Sequence, residues 1–189
     1  MEKKKVILIK SNPMDRDVRV PKEVKALKYA GYAVNFLCWN RDYETSESQQ
    51  WEAKDYREIQ LRLKAPWGIK VLPFLPIWWF FIFFWLMMTR WDIPRTIDIA
   101  SISPTVIAGK LKRKAIIYEI LDTYEDHILL PKMMRNISIK VDKLFIRLAN
   151  AIIIIDEVQV EEFGGIPNSK VVIVYDAPPD LFGKVDASH

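Results

Sequence analysis

An uncharged segment, PIWWFFIFFWLMM at residues 76–88, constrains the fold of this 189-residue chain more than any other feature. A helix that crosses a membrane needs about 20 apolar residues. The uncharged run extends from Val71 to Met88, but Pro73 and Pro76 interrupt its first turn, so we expect an uninterrupted helix only from 77 to 88. At about 1.5 Å per residue that helix is roughly 18 Å long, which is shorter than a hydrocarbon core of about 30 Å. We therefore predict that it does not span a membrane.

The same segment is apolar around its whole circumference, whereas a helix that packs on a sheet needs only one apolar face. It holds three of the seven tryptophans of the chain, and tryptophan is enriched at membrane–water interfaces. We therefore predict one face on a sheet and the other on lipid or on a partner domain. The candidate membrane contacts are Trp78, Trp79, Phe83 and Trp85, and the sequence leaves open which of them point outward. The alternative is a helix buried completely by a second domain or an oligomer.

Composition bounds the class of protein. Half of the residues are hydrophobic and 28% are charged, as in one ordinary globular domain. The net charge of +4 is too small to indicate nucleic-acid binding and suits anionic phosphates or a membrane surface. Cys38, the single cysteine, excludes an internal disulfide. The basic N-terminus precedes only four apolar residues, too few for a signal peptide, so we expect a cytoplasmic protein, peripheral on the inner face of the cell membrane.

Strand and helix patterns alternate along the chain without a hairpin signal between strands. Val20, Val24 and Leu27 are spaced as on one face of a helix that ends at Gly31. We predict strands at 6–9, 32–40, 58–65, 97–103, 114–121, 151–155 and 170–175, and further helices at 105–113 and 137–148. This alternation is typical of an α/β fold, a Rossmann-like, doubly wound parallel sheet with helices on both faces.

Ligands of open parallel sheets bind outside the carboxyl ends of the strands. The loops to consider are therefore 11–17, 103–105, 122–127, 156–159 and 176–180. The first loop has no G-x-G-x-x-G pattern and no Walker lysine, so dinucleotide or P-loop binding is not supported. Asp15, Arg16 and Arg19 would position a polar substrate there. The alternative is a solvated loop whose charges pair with one another.

The loop DTYEDH at 122–127 concentrates acidic side chains after a predicted strand. Asp122 would accept a hydrogen bond from a substrate hydroxyl or act as a base. The alternative is a loop whose acids favour the positive N-terminus of the next helix. His127 and the terminal His189 are the only histidines, so no metal site is indicated. The basic run KLKRK at 110–114 either complements a helix C-terminus or attracts an anionic headgroup or pyrophosphate.

Four blocks of the sequence, in order, resemble glycosyltransferase family 4-like proteins of the archaeal type. They are DRDVRVPKEVKALKYAGYAVNFLCWNRD, IIYEILDTYEDHILLP, LANAIIIIDEVQVEEF and KVVIVYDAPPD. The resemblance implies the N-terminal half of a GT-B enzyme, in which two Rossmann-like domains enclose the active site. Residues 1–180 would be the acceptor-binding domain, and 181–189 a linker toward a donor-binding domain that the sequence does not contain. This chain alone is therefore expected to be inactive.

The resemblance also assigns roles to residues. It implies that Asp122, the candidate catalytic base, lies in the active-site cleft. It implies acceptor binding by Asp15, Arg16, Arg19, Tyr124, Glu125, Asp156 and Glu157.

The enzyme would move a hexose from a nucleotide-sugar donor to a lipid-linked or membrane-embedded acceptor, with no bound cofactor or metal and no nucleic-acid partner. Two alternatives remain, a non-catalytic membrane-recruiting subunit and a receiver-like interaction module. A receiver needs an aspartate at the end of its third strand, whereas Asp98 lies near the start of a predicted strand.

Overall fold

A computed structural model describes residues 3–13, 19–42, 56–120, 132–157, 160 and 168–175. Its centre is a parallel sheet of seven strands in the order β3-β2-β1-β4-β5-β6-β7. The strands are β1 (Lys5–Lys10), β2 (Ala33–Asn40), β3 (Arg57–Arg62), β4 (Ile93–Thr96), β5 (Ile117–Ile120), β6 (Ala151–Ile154) and β7 (Val171–Ile173). The helices are α1 (Arg19–Tyr29), α2 (Leu75–Met88), α3 (Ile99–Leu111) and α4 (Lys132–Leu148), and 3₁₀ segments lie at Gly68–Phe74 and Asn168–Lys170.

Helices cover both faces of the sheet, because successive residues of a strand point to opposite sides. Leu8 of β1 packs in one core with Val20 and Val24 of α1. The next residue, Ile9, packs in a second core with Ile82 of α2. The predicted Rossmann-like α/β fold is therefore confirmed.

The third core places α3 and α4 on the same face as α2. The strand register pairs Ile9 with Thr96 and Thr96 with Tyr118, so these three side chains share a face. Tyr118 belongs to a core with Ile102 of α3 and Ile146 of α4. Three helices thus lie on one face, and α1 lies on the other.

Helix α1 ends as its sequence predicts. Gly31 has φ 89°, a left-handed conformation that glycine adopts without a Cβ clash. Its N–H donates to Lys28 O at 2.9 Å, and the N–H of Tyr32 donates to Leu27 O at 3.0 Å. These two bonds form a Schellman motif, which satisfies carbonyls left open by the last turn.

Helix α2 turns one narrow stripe toward the sheet. Trp78, Ile82 and Leu86, spaced by four residues, are fully buried. The indole of Trp78 stacks on that of Trp39 in β2 with ring centroids 5.9 Å apart, and its Nε1 donates to Ser101 Oγ in α3 at 3.1 Å. The prediction of Trp78 as a membrane contact is therefore wrong, because this side chain belongs to the core.

The helix also begins earlier than predicted. A 3₁₀ segment, Gly68–Phe74, leads directly into α2, and Pro76 occupies the first turn, where a missing N–H costs nothing. Together they form a helical stretch of 21 residues. Its most apolar 18-residue window has a mean hydropathy of 2.0, and 17% of that window is buried. By length and composition alone this stretch is sufficient to cross a membrane, but its buried stripe runs along the sheet, as in a crossover helix.

The predicted strand at 97–103 is wrong. Strand β4 ends at Thr96, and the following residues form α3 with Asp98 at its N-cap. Pro104 lies inside this helix and has no N–H to donate to Ala100 O, the carbonyl four residues before it. The Nε1 of Trp79 donates to that carbonyl at 2.7 Å instead. A tertiary contact from α2 thus compensates for a proline that would otherwise disfavour the helix.

We expect Trp78→Ala to lower the free energy of unfolding by about 3–5 kcal/mol, because it leaves a cavity and removes a buried hydrogen bond. The matched change Phe84→Ala removes a side chain that is 55% exposed on the same helix and should cost less than about 0.5 kcal/mol. Urea denaturation followed by far-UV circular dichroism measures both. Equal losses would contradict the orientation of α2.

Candidate functional site

The order of the strands locates a crevice between β1 and β4. These strands are hydrogen-bonded neighbours, yet the chain forms β2 and β3 on the other side of β1 before it returns to form β4. The connections that follow β1 and β4 therefore leave the carboxyl edge in opposite directions. Such a switch point is where open α/β sheets bind ligands.

Asp98 joins the two sides of this crevice. Its backbone is extended at φ −150° and ψ 161°, and its side chain does not cap its own helix. The carboxylate Oδ2 instead accepts a hydrogen bond from the N–H of Ser11, immediately after β1, at 2.5 Å. The ends of β1 and β4 are thereby fixed to each other by an acidic side chain.

Two buried oxygens of the crevice have no hydrogen-bond partner among the described residues, Asp98 Oδ1 and Asn12 Oδ1. A buried acceptor without a partner is costly, and a ligand hydroxyl would satisfy it. Both oxygens at this switch point are therefore able to accept a further hydrogen bond. Asn12 belongs to the predicted binding loop 11–17, whereas Asp98 was not predicted as a site residue, although an aspartate before an apolar run is an N-cap signal.

Arg19 does not lie in an open loop. It is the first residue of α1 and is buried. Its Nε donates to Glu23 Oε1 at 3.1 Å and its Nη2 to Val174 O at 3.3 Å. Arg19 Nη2 also lies 3.0 Å from Glu119 Oε1, an ion pair that lacks hydrogen-bond geometry. The prediction that Arg19 belongs to the acceptor loop is corrected, because its guanidinium ties α1 to the sheet.

Arg95 completes a buried cluster of two arginines and two glutamates beneath the first turns of α1. Its Nη2 lies 2.6 Å from Glu119 Oε2 and 2.7 Å from Glu23 Oε1. The side chain of Glu119 is fully buried. Burial raises the pKa of Glu23 above its ordinary value, Arg95 opposes this shift, and Glu119 adds to it. The cluster is balanced in charge and stabilises the wall of the crevice only while both partners of each pair are present.

A cation lies at the carboxyl edge on the other side of β1. The guanidinium carbon of Arg41 is 4.6 Å from the ring centroid of Trp39 and 5.0 Å from that of Trp67. Trp67 is half exposed and directly precedes the helical stretch that contains α2. Arg41 is itself buried, so the two indole rings hold its charge near the end of β2.

The acids predicted after the sixth strand lie at the same edge of the sheet but away from the crevice. Asp156 and Glu157 follow β6 and are exposed. Two strand spacings, about 10 Å, separate β6 from β4. The Oη of Tyr175 donates to Glu157 Oε1 at 3.4 Å, and the charge of Glu157 raises the pKa of Tyr175. No described contact joins these acids to Asp98.

Five of the predicted site residues lie outside the described ranges, namely Asp15, Arg16, Asp122, Tyr124 and Glu125. The predicted loop at 103–105 is part of α3. In the described ranges, no three His, Cys, Asp or Glu side chains are grouped so as to hold a metal ion.

An apolar groove of about 390 Å³ lies between α2 and α3. Pro76, Trp79, Phe80 and Phe83 form one wall, and Ile107 lies on the other together with Ser103 and Pro104. The helix α3 that forms this second wall carries Asp98 at its N-cap. The groove and the crevice therefore share an element.

The fold is similar to that of solved glycosyltransferases of the GT-B type. Sucrose-phosphate synthase from Thermosynechococcus elongatus matches with a TM-score of 0.65 and 13% identity over 92% of this chain and 48% of its own. UGT89C1 from Arabidopsis thaliana, complexed with UDP-L-rhamnose, matches with a TM-score of 0.62 and 10% identity over 95% and 50%. The lipopolysaccharide outer core galactosyltransferase WaaB matches with a TM-score of 0.61 and 17% identity over 92% and 46%.

The chain therefore spans about half the length of these proteins. No protein-family model and no curated protein sequence matches it. Identities this low support the shared fold, and the narrower resemblance to family 4 stays a prediction. The alternative of a receiver-like module is contradicted, because receiver sheets have the strand order 2-1-3-4-5, whereas this sheet begins with the order 3-2-1-4-5. Contrary to the prediction, Asp98 itself follows the end of β4 and does not lie near the start of a strand.

We expect stability to depend on pH through Glu23. Because its pKa is raised in the folded state, folded Glu23 keeps its proton where the unfolded chain has released it. The free energy of unfolding therefore falls as the pH rises through the interval between the ordinary and the raised pKa. Glu23→Gln cannot titrate and should decline less.

Thermal melts between about pH 4 and about pH 7 compare the wild type with Glu23→Gln and with the exposed control Glu157→Gln. The free energy of unfolding of the wild type minus that of Glu23→Gln should fall as the pH rises, while the control should parallel the wild type. A rise of this signed difference with pH would contradict the raised pKa.

Proposed function

We propose that this chain is the acceptor-binding domain of a glycosyltransferase that moves a hexose from a nucleotide sugar to a lipid-linked or membrane-embedded acceptor. The observation that carries the proposal is the packing of α3 against α2. Helix α3 begins at the crevice with its unsatisfied oxygen acceptors, and it also forms one wall of the apolar groove beside the exposed helix α2.

The fold supports sugar transfer, because its structural neighbours are GT-B glycosyltransferases. One of them is complexed with UDP-L-rhamnose, which supports a nucleotide-sugar donor for this protein as well. Since the chain spans about half of these neighbours, we assign it the acceptor and place the donor on a second domain. The oxygens of Asp98 and Asn12 are suited to acceptor hydroxyls.

The outer surface of α2 supports a lipid environment. Ile77, Phe80, Phe84 and Met88 are between 48% and 84% exposed and form one stripe at spacings of three and four residues. Phe80 and Phe84 stack on each other with centroids 6.2 Å apart. A large exposed aromatic surface is a docking site in soluble proteins, and a bilayer would bury it.

The groove between α2 and α3 gives the acceptor a specific place. Its lining is apolar, and α3 connects it to the crevice beside Asp98. A hydrocarbon chain in this groove would leave its polar end near the carboxyl edge, where the buried guanidinium of Arg41 would attract a phosphate linkage through its charge. The sugar of the acceptor would then face the donor domain.

The exposed stripe predicts reversible membrane binding. We expect the wild type to sediment with phosphatidylcholine vesicles and Phe80→Glu/Phe84→Glu to remain in solution with its fold intact, because a carboxylate is costly in a bilayer. The control Ala26→Glu/Tyr29→Glu adds the same charge at exposed positions of α1, on the other face of the sheet, and should still bind.

Two further pairs test the remaining candidate contacts. Trp78→Glu/Trp85→Glu should unfold the domain because Trp78 is buried. Trp79→Glu/Phe83→Glu should lose binding and also weaken the joint with α3, because it removes the bond to Ala100 O. If the wild type does not bind vesicles, the proposed membrane contact of α2 is wrong.

Asp122 provides the test of transfer. Asp122 lies outside the described residues; in the sequence it comes two residues after Ile120, the last residue of β5. In a protein that also contains the donor-binding domain, we expect Asp122→Asn to lower kcat/KM about 10²-fold or more with an unchanged melting temperature. The neighbouring control Asp126→Asn should change kcat/KM less than about threefold.

The assay follows labelled sugar from a panel of UDP-sugars into organic-extractable lipid. The 189-residue chain alone should transfer and hydrolyse nothing. Turnover by this chain alone would contradict its assignment as half of an enzyme, and equal effects of the two substitutions would contradict a catalytic role for Asp122. Vesicle binding without transfer by any longer form would favour the membrane-recruiting subunit.

A further inference from the structure

A second pocket, of about 490 Å³, lies at the amino-terminal edge of the sheet, opposite the crevice. It forms where β1 and β4 begin and where α2 and α3 end. A single carboxylate, that of Asp92, is among its described lining residues. Six cationic side chains surround it, namely Lys3, Lys4, Lys5, Arg90, Lys112 and Lys114.

Two of these cations build the floor of the pocket. Lys112 Nζ donates to Leu86 O at 2.6 Å and to Thr89 O at 2.7 Å, which satisfies carbonyls at the end of α2. Lys114 Nζ donates to Asp92 Oδ1 at 3.2 Å, and Asp92 Oδ2 accepts from the N–H of Lys5 at 2.9 Å. The single carboxylate is thus already engaged by a cation and a backbone donor.

Three other cations at the rim have exposed side chains. In the described part of the chain, Lys3, Lys4 and Arg90 are exposed, and Lys4 is one of the charges that lower the pKa of Asp92. Six cations around one carboxylate leave an excess of positive charge in the pocket, and such clustering of like charges is unfavourable. An anion in the pocket would remove this repulsion.

We propose that this pocket binds the anionic headgroup of a phospholipid in the bilayer that α2 contacts. The inference rests on the membrane contact proposed above. Its independent support is the continuity of the two surfaces, because Met88, the last residue of α2, is 84% exposed and lies two residues before Arg90. An apolar surface that ends in a cluster of cations matches the chemistry of an anionic bilayer surface.

This site would orient the domain. The apolar outer stripe of α2 runs from the carboxyl edge, where the crevice lies, to the amino edge, where the basic pocket lies. Binding at both ends would hold α2 parallel to the membrane and keep the groove between α2 and α3 open to lipid.

The test compares Lys3→Ala/Lys4→Ala/Arg90→Ala with Lys25→Ala/Lys140→Ala/Arg147→Ala. The control removes the same charges at exposed positions of α1 and α4. Vesicles consist of phosphatidylcholine alone or with phosphatidylglycerol. The rim variant should lose about a hundredfold in affinity for the anionic vesicles, the control only a few-fold, and neither should change binding to phosphatidylcholine. Equal losses by both variants would overturn the proposal in favour of diffuse attraction.

A second measurement uses the unmodified chain and monomeric short-chain lipids. Short-chain phosphatidylglycerol should produce saturating NMR shifts at the amides of Asp92 and Lys114, and the phosphatidylcholine analogue should not. Equal shifts with both lipids, or no shifts with either, would contradict the proposal that this pocket binds an anionic headgroup. Failure of the wild type to bind either kind of vesicle would instead count against the membrane contact of α2, so the two proposals fail separately.

Discussion

The burial of Trp78 is the interaction on which the rest of the structure depends. Its indole stacks on Trp39 of β2 and bonds to Ser101 of α3, so one side chain fixes α2 against both the sheet and the next helix. The neighbouring Trp79 satisfies the carbonyl that Pro104 leaves open in α3. With α2 held in this way, its aromatic stripe faces outward and Asp98, at the start of α3, reaches across the crevice.

The other face of the sheet relies on buried charge instead of apolar packing near the site. Arg19 and Glu23 from α1 meet Arg95 and Glu119 from β4 and β5. Removing one partner would leave an uncompensated buried charge, which typically costs about 3–5 kcal/mol. Such a cluster adds little net stability, but it allows few alternative positions for α1. It therefore fixes the first turns of α1 against β4 and β5.

Local patterns predicted the fold, and long-range contacts decided the site. The alternation of strand and helix patterns was sufficient to predict the parallel sheet. The glycine at position 31 was sufficient to predict where α1 ends. The strand predicted at residues 97–103 was wrong, because we gave the alternating apolar residues of this segment more weight than the N-cap signal of Asp98. The outward face of α2 could not be predicted from the sequence, because this helix is apolar on all sides. The stacking of Trp78 on Trp39 of β2 determines which side faces the sheet. The burial of Arg19 likewise depends on Glu119, a hundred residues away in the sequence.

The central claim is that lipid, not protein, covers the outer stripe of α2. A photoreactive benzophenone side chain in place of Phe84, irradiated in native membranes, tests this most directly. Mass spectrometry of the product then identifies what lay against the helix. We predict adducts with membrane lipid. Adducts with a second domain of the same polypeptide, or with another copy of it, would show that the stripe is a protein interface and would contradict the account.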